Sequence, residues 1–111
     1  MLHQLNLCHE PFIAITKGNK RIEMRLFDEK KSLIQIGDIL EFTDLESKEK
    51  VKCRVINVKT YPSFVELYQD NDKVHLGYEK DDIASPDDML KYYSKERQAK
   101  YLAMAIYIEI I

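Results

Sequence analysis

Lys17, Lys20, Arg21 and Arg25 fall within nine residues near the start of the chain, and Glu23 is the only acid among them. Cations at this density meet anions: an arginine forks onto two phosphate oxygens or a base edge, and a lysine acts as a point charge. The turn Lys17-Gly18-Asn19 adds backbone N–H groups that are free to face the same anion. Glu23 can orient these cations or accept from a base amino group. Spacing alone also fits a plainer arrangement, a solvated strand face on which Glu23 pairs with Arg21 and Arg25.

Seven tyrosines and four phenylalanines supply rings of the kind that stack on single-stranded RNA. Phe12, Phe42, Phe64 and Tyr68 sit in apolar periodic patterns and belong to the core. Tyr93 and Tyr101 are left as stacking candidates. Ser63 reads as a helix cap that also touches a ligand if its helix end faces the cleft. His3, His9 and His75, with Cys8 and Cys53, show no metal-ligand spacing, so neither a metal nor a cofactor is expected. The chain also lacks a phosphate-cradling P-loop, a nucleophile elbow and a dinucleotide fingerprint.

With 111 residues and 45% hydrophobic side chains, residues 1–111 make one domain with its own core. No apolar run is long enough to span a bilayer, and Met1 to Glu10 does not resemble a signal peptide. Reduced, buried thiols and a cytoplasmic location are therefore expected. A net charge of −2 argues against wholesale coating of nucleic acid, though not against a local basic cleft. The balance is +2 over residues 1–60 and −4 over 61–111, so the acidic C-terminal part is a possible protein-binding surface.

The elements that must position these residues follow from periodicity. Leu2 to Cys8 reads as a strand, and Glu10 to Lys17 as a short helix with Pro11 in its first turn and Gly18 as its stop. From Lys20 to Phe27 the alternation is clean. It predicts Ile22, Met24 and Leu26 buried, with Arg21, Glu23 and Arg25 on an opposite face that solvent reaches. A Glu23 turned into the barrel core would undo the cleft. Asp28 to Ile36 reads as loop or helical turn, and strands from Gly37 to Thr43 and from Val51 to Lys59 form a hairpin. A helix starts at Pro62-Ser63, Asp70 to Asp82 reads as loop, and Ser85-Pro86-Asp87-Asp88 starts another helix. Ser94 caps a further turn through Ala99, and Leu102 to Ile111 closes the chain as a strand. The sum is an α+β domain: a small, partly closed barrel of about five strands with three or four short flanking helices.

Four elements of the sequence together resemble the ASCH domain family. Gly18-x-Lys20-x-x-Glu23-x-Arg25 is similar to its G-x-K-x-x-E-x-R signature, and Gly37-Asp38 to its later G-D step. Tyr61-Pro62-Ser63-Phe64 resembles its Y-x-S-F helix start, and Tyr92-Tyr93-Ser94 with Ala105-Ile106-Tyr107-Ile108 its closing segment. The resemblance implies a PUA-like β-barrel and an RNA- or nucleotide-binding protein whose cleft holds Lys17, Lys20, Glu23, Arg25, Ser63 and Tyr93. It also implies an alternative, a hydrolase acting on RNA or a modified nucleoside. Some small ASCH proteins resemble amidohydrolases of N4-acetylcytidine that use a Lys, a Thr three residues later and a distal Glu. Here the Lys corresponds to Lys20, Glu23 stands where the Thr is expected, and the distal acid has a loose counterpart near Glu79. With no hydroxyl at that position, deacetylation is not expected.

Overall fold

The computed structural model describes all of residues 1–111. Five strands, β1 (Leu2–Leu7), β2 (Ile22–Leu26), β3 (Ile39–Asp44), β4 (Lys50–Tyr61) and β5 (Ala103–Ile110), form one sheet in the order β1-β3-β4-β5-β2. β1 runs parallel to β3, and every other pairing is antiparallel. Four short helices decorate it: α1 (His9–Thr16), α2 (Phe64–Asp70), α3 (Lys73–Leu76) and α4 (Lys95–Lys100). Single 3-10 turns cover Lys31–Leu33 and Pro86–Lys91.

The sheet curls into a half-barrel. β4 is long, and its register against β5 shifts between Val55 and Asn57. Such a bulge adds local twist and bends the strand. The concave face holds Leu40, Phe42, Val55, Met104 and Ile106, plugged by Phe12 and Ile15 of α1. On the outer face Ile22, Leu26, Ala103 and Ala105 lie under Phe64 and Leu67 of α2, Leu76 of α3 and Met89. The two alanines have too little bulk to hold the helices off the strand. The outer cover explains why β5 is apolar on both sides over most of its length.

The local signals act as read in most places. Gly18 takes a left-handed φ of 82° just past α1. Ser63 caps α2 by accepting from the Val65 N–H. Ser85 and Asp88 form a reciprocal capping box, although the turn they open is 3-10 rather than α-helical. Residues 70–82, expected as loop, contain α3: Asp72 accepts from the Val74 N–H, and Gly77 ends the turn at φ 112°. Four residues are too few to show a helical period. Cys53 is buried, but Cys8, expected to be buried, is exposed at the N-cap of α1, and both thiols are free. No helix is long and apolar enough to cross a membrane.

Candidate functional site

The two edges of the sheet, β1 and β2, face each other across the open side of the half-barrel. Within β2 the alternation holds: Glu23 and Arg25 stand opposite Ile106 and Met104, which line the concave face. Ile22, Met24 and Leu26 stand opposite Tyr107, Ala105 and Ala103 beneath the helices. The expected exposure of the charged face is therefore corrected. Its side chains turn inward, and only 4% of Glu23 and 6% of Lys20 reach solvent. Alternation tells which side chains share a face but not what covers it, and here helices cover the other one. Glu23 does point to the barrel's inner side. It stands at the seam, where the apolar core gives way to an enclosed cavity, so the open, solvent-reached cleft that was expected is not what the fold provides. Arg21 lies outside the group, exposed before β2, with its Nε donating to the Gly18 carbonyl at 3.2 Å.

Glu23 is the centre of a short buried row. Lys20 Nζ lies 3.2 Å from Oε1, and Arg25 donates to Oε2 from Nε at 2.8 Å and from Nη2 at 2.7 Å. Both cations are tied back to the main chain. Lys20 Nζ donates to the Leu76 carbonyl at 3.0 Å, and Arg25 Nη2 reaches the Asn6 carbonyl on β1, also at 3.0 Å. Burial by itself raises the Glu23 pKa, but Lys20 and Arg25 more than offset it and hold the carboxyl below its usual range. Arg25 is likewise held charged: burial acts against it and the Glu23 carboxylate outweighs the burial. Gly77 roofs the lysine. A Cβ at Gly77 would stand 3.1 Å from Lys20 Cδ.

The row forms one wall of a cavity of about 680 Å³. Cys8 and Glu10, at the start of α1, form a second wall. A third holds a phenol chain: Tyr68 and Tyr78 hydroxyls are 2.8 Å apart, and Tyr78 donates to Asp88 Oδ2 at 2.6 Å. Tyr92 and Tyr93 complete the lining, Tyr93 stacked on Phe64 at 6.2 Å between ring centroids and Tyr92 largely exposed at the rim. Four carboxylates, Glu10, Glu23, Asp82 and Asp88, face three cations, Lys20, Arg25 and Lys91. No group of three or more His, Cys, Asp or Glu is placed to hold a metal ion.

Of the residues singled out from the sequence, Lys20, Glu23, Arg25 and Tyr93 meet in this cavity. Lys17 is exposed at the end of α1 and does not line it. Ser63 is occupied as the α2 cap and by a hydrogen bond to Glu66. Tyr101 lies elsewhere, beneath Arg97 and Lys100, and Glu79 is exposed outside the lining. Sequence reasoning missed Asn6, Tyr78 and Tyr92 as wall residues and took Tyr68 for core alone. Asp88 was visible only as a capping acid. Asn6 contributes a backbone carbonyl, for which no side-chain signal exists.

The family model described as ASCH domain matches residues 5–111. The crystal structure of hypothetical protein PH0355 is similar over 100% of both chains, with 31% identity and a TM-score of 0.84. The solution structure of protein PF0455 from Pyrococcus furiosus is also 31% identical, with a TM-score of 0.70, covering 100% of this chain and 98% of that one. The ASCH domain from Lactobacillus crispatus shares the fold at 16% identity and a TM-score of 0.67, with 96% and 79% of the two chains covered. A comparison with curated proteins finds none that matches.

Proposed function

Because the chain belongs to the ASCH domain family, we propose that it binds RNA or a nucleotide-like ligand by admitting one nucleobase to the cavity beside Glu23. The observation that carries this reading is the state of the two buried cations. Lys20 and Arg25 are both already engaged by Glu23, which offsets one of their two charges, and the lining carboxylates outnumber the cations four to three. Such a wall suits a neutral ring with donors and acceptors at its edge better than a phosphate. Oε1 of Glu23 accepts only from Lys20, and the Arg25 guanidinium, held by Glu23 and the Asn6 carbonyl, also reaches the Tyr93 hydroxyl. An acceptor and a donor thus stand side by side, the pattern that reads a base edge. Tyr92 and Tyr93 offer ring faces beside them. The volume lies within the roughly 300–1,000 Å³ of small-ligand sites.

Binding accounts for the site better than hydrolysis does. A general base works best with a pKa near the operating pH, whereas Glu23 is held ionised between two cations. The test is calorimetry with the four common nucleosides. Glu23→Gln should weaken binding of the preferred base about tenfold, and Lys17→Ala should leave it unchanged. Equal binding by Glu23→Gln, or no nucleoside binding by the native protein, would refute the reading. Turnover of N4-acetylcytidine that disappears in Lys20→Ala would restore the hydrolase alternative.

A further inference from the structure

The acidic balance of the C-terminal half conceals two opposed blocks. Residues 70–88 carry a net charge of −5, and residues 91–101 carry +3. The second block begins at the cavity, which Lys91, Tyr92 and Tyr93 line, and continues as α4. Lys91, Lys95 and Lys100 are exposed and have no carboxylate within ion-pair distance; Arg97 has only Asp28, at 3.7 Å. Tyr101 gathers two of the charges in one place: the Arg97 guanidinium lies 5.6 Å from its ring centre and the Lys100 ammonium 5.3 Å. The ring thus keeps two cations close together, where one incoming anion can meet both.

A second route connects the patch to the cavity. The loop after β2 carries Lys30 and Lys31 and touches the α4 region through Arg97–Asp28 and Tyr101–Glu29 contacts. Lys31 also feels Arg25: burial lowers its pKa, and Arg25 adds to that lowering while Asp28 opposes it. Of these cations Lys91 borders the cavity itself, while Asp82 and Asp88 face it from the acidic block.

We propose that the RNA strand whose base enters the cavity leaves it across a ridge made by Lys91, Lys95, Arg97 and Lys100, which takes the phosphates of the neighbouring nucleotides. This inference rests on the cavity being a nucleobase site. Opposed charge gives the path a direction, because the 70–88 block repels a polyanion and the ridge attracts it. A basic track interleaved with aromatic rings is how single strands are followed without sequence preference. The cavity, whose Lys20 and Arg25 are already bound to Glu23, then reads the base, and the ridge supplies the electrostatic affinity.

The test compares a single-stranded decauridylate, followed by fluorescence anisotropy, with the free nucleosides, followed by calorimetry. Three or four phosphate contacts at about 0.7 each predict a log–log salt slope between about −2 and −3 for the oligonucleotide, and almost none for nucleosides. The double variant Lys95→Ala/Lys100→Ala, both exposed, should reduce the slope by about 1.4 and leave nucleoside binding unchanged. Replacing Lys73 and Lys80 of the acidic block by alanine should leave the slope as it was. Nucleoside binding with no gain for the oligonucleotide, or a slope unmoved in the double variant, overturns the ridge and spares the cavity reading. Ridge-dependent oligonucleotide binding without any nucleoside binding overturns the cavity reading and the path that starts from it. Ridge-dependent binding of phosphatidylserine vesicles or polyglutamate, with none of decauridylate, would assign the ridge to a membrane or to an acidic protein instead.

Discussion

Arg25 on β2 bridges the open side of the half-barrel to Asn6 on β1, its Nη2 lying 3.0 Å from the Asn6 carbonyl and 2.7 Å from Glu23 Oε2. One guanidinium thus closes the seam and neutralises a carboxylate that has almost no access to water. Arg25→Ala removes both functions and leaves Glu23 with Lys20 alone. Because Lys20 still compensates the carboxylate, the expected cost is that of the lost charged hydrogen bonds, about 1.5–3 kcal/mol. Urea unfolding should show that loss, and Arg25→Lys should recover only part of it, because one ammonium lacks the fork that reaches both partners. A loss below about 1 kcal/mol would mean that the seam is held by something else.

Gly77→Ala tests the roof over Lys20. The residue sits at φ 112°, and its new Cβ would meet Lys20 Cδ at 3.1 Å. The backbone cost alone is about 1–2 kcal/mol. Displacement of Lys20 predicts a second effect, weaker nucleoside binding. Lower stability with unchanged affinity would show that the lysine moves aside without disturbing the site.

The pair at the start of α1 sets a pH window for stability. His9 Nδ1 lies 2.7 Å from Oδ2 of Asp44, which also accepts from Ser47 and from the Glu46 N–H. The Asp44 bond, opposed by some desolvation, raises the His9 pKa above 6.5. Asp44 is held at about 2 despite a burial penalty, by His9, the Glu46 N–H and Ser47. A raised histidine contributes stability in full below its unfolded pKa and loses it as pH rises through the folded value. A depressed aspartate contributes above its unfolded pKa and loses that as pH falls toward 2. The pair therefore stabilises most between about pH 4 and 6.5. Thermal melts of native protein and His9→Gln should differ most in that window and converge above pH 8; a constant difference would exclude the linkage.

Tyr78→Phe should cost more than Tyr68→Phe. Tyr78 is the inner link of the phenol chain, donating to Asp88, and its loss leaves the Tyr68 hydroxyl without its partner and Asp88 Oδ2 with the Ser85 N–H alone. Removing Tyr68 leaves the Tyr78–Asp88 bond intact. A difference of about 1 kcal/mol in urea unfolding is expected. Equal costs would mean that solvent replaces the inner bond as readily as the outer one.

Much of this was legible before any coordinates. Pro11 and Gly18 bounded α1, Ser63 and Ser85 marked their caps, and the alternation through Ile22–Leu26 assigned Glu23 and Arg25 to one face. The direction of that face was hidden. It depends on α2 and α3 covering the outer side of β2 and β5, a tertiary fact that no period of two encodes. The third wall was hidden for a related reason. Tyr78 follows a four-residue helix too short to announce itself, and it reaches Asp88 only because Gly77 turns the chain back. Tyr101 looked like a ligand ring and instead carries two cations, since Arg97 lies one helical turn back and Lys100 immediately precedes it.

The strand order has a consequence for the order of folding. The first two strands made during synthesis occupy opposite edges of the sheet, and each waits for a partner that comes later: β1 for β3, and β2 for β5 at residues 103–110. The Arg25–Asn6 bridge cannot form until both edges are seated, so the seam closes only after β3, β4 and β5 are in place. A nascent or partly unfolded chain can hold the β3–β4 hairpin yet have no enclosed cavity. A ligand taken up at the seam, as we propose, would then bind only chains in which both edges are seated, and its binding would favour that folded form.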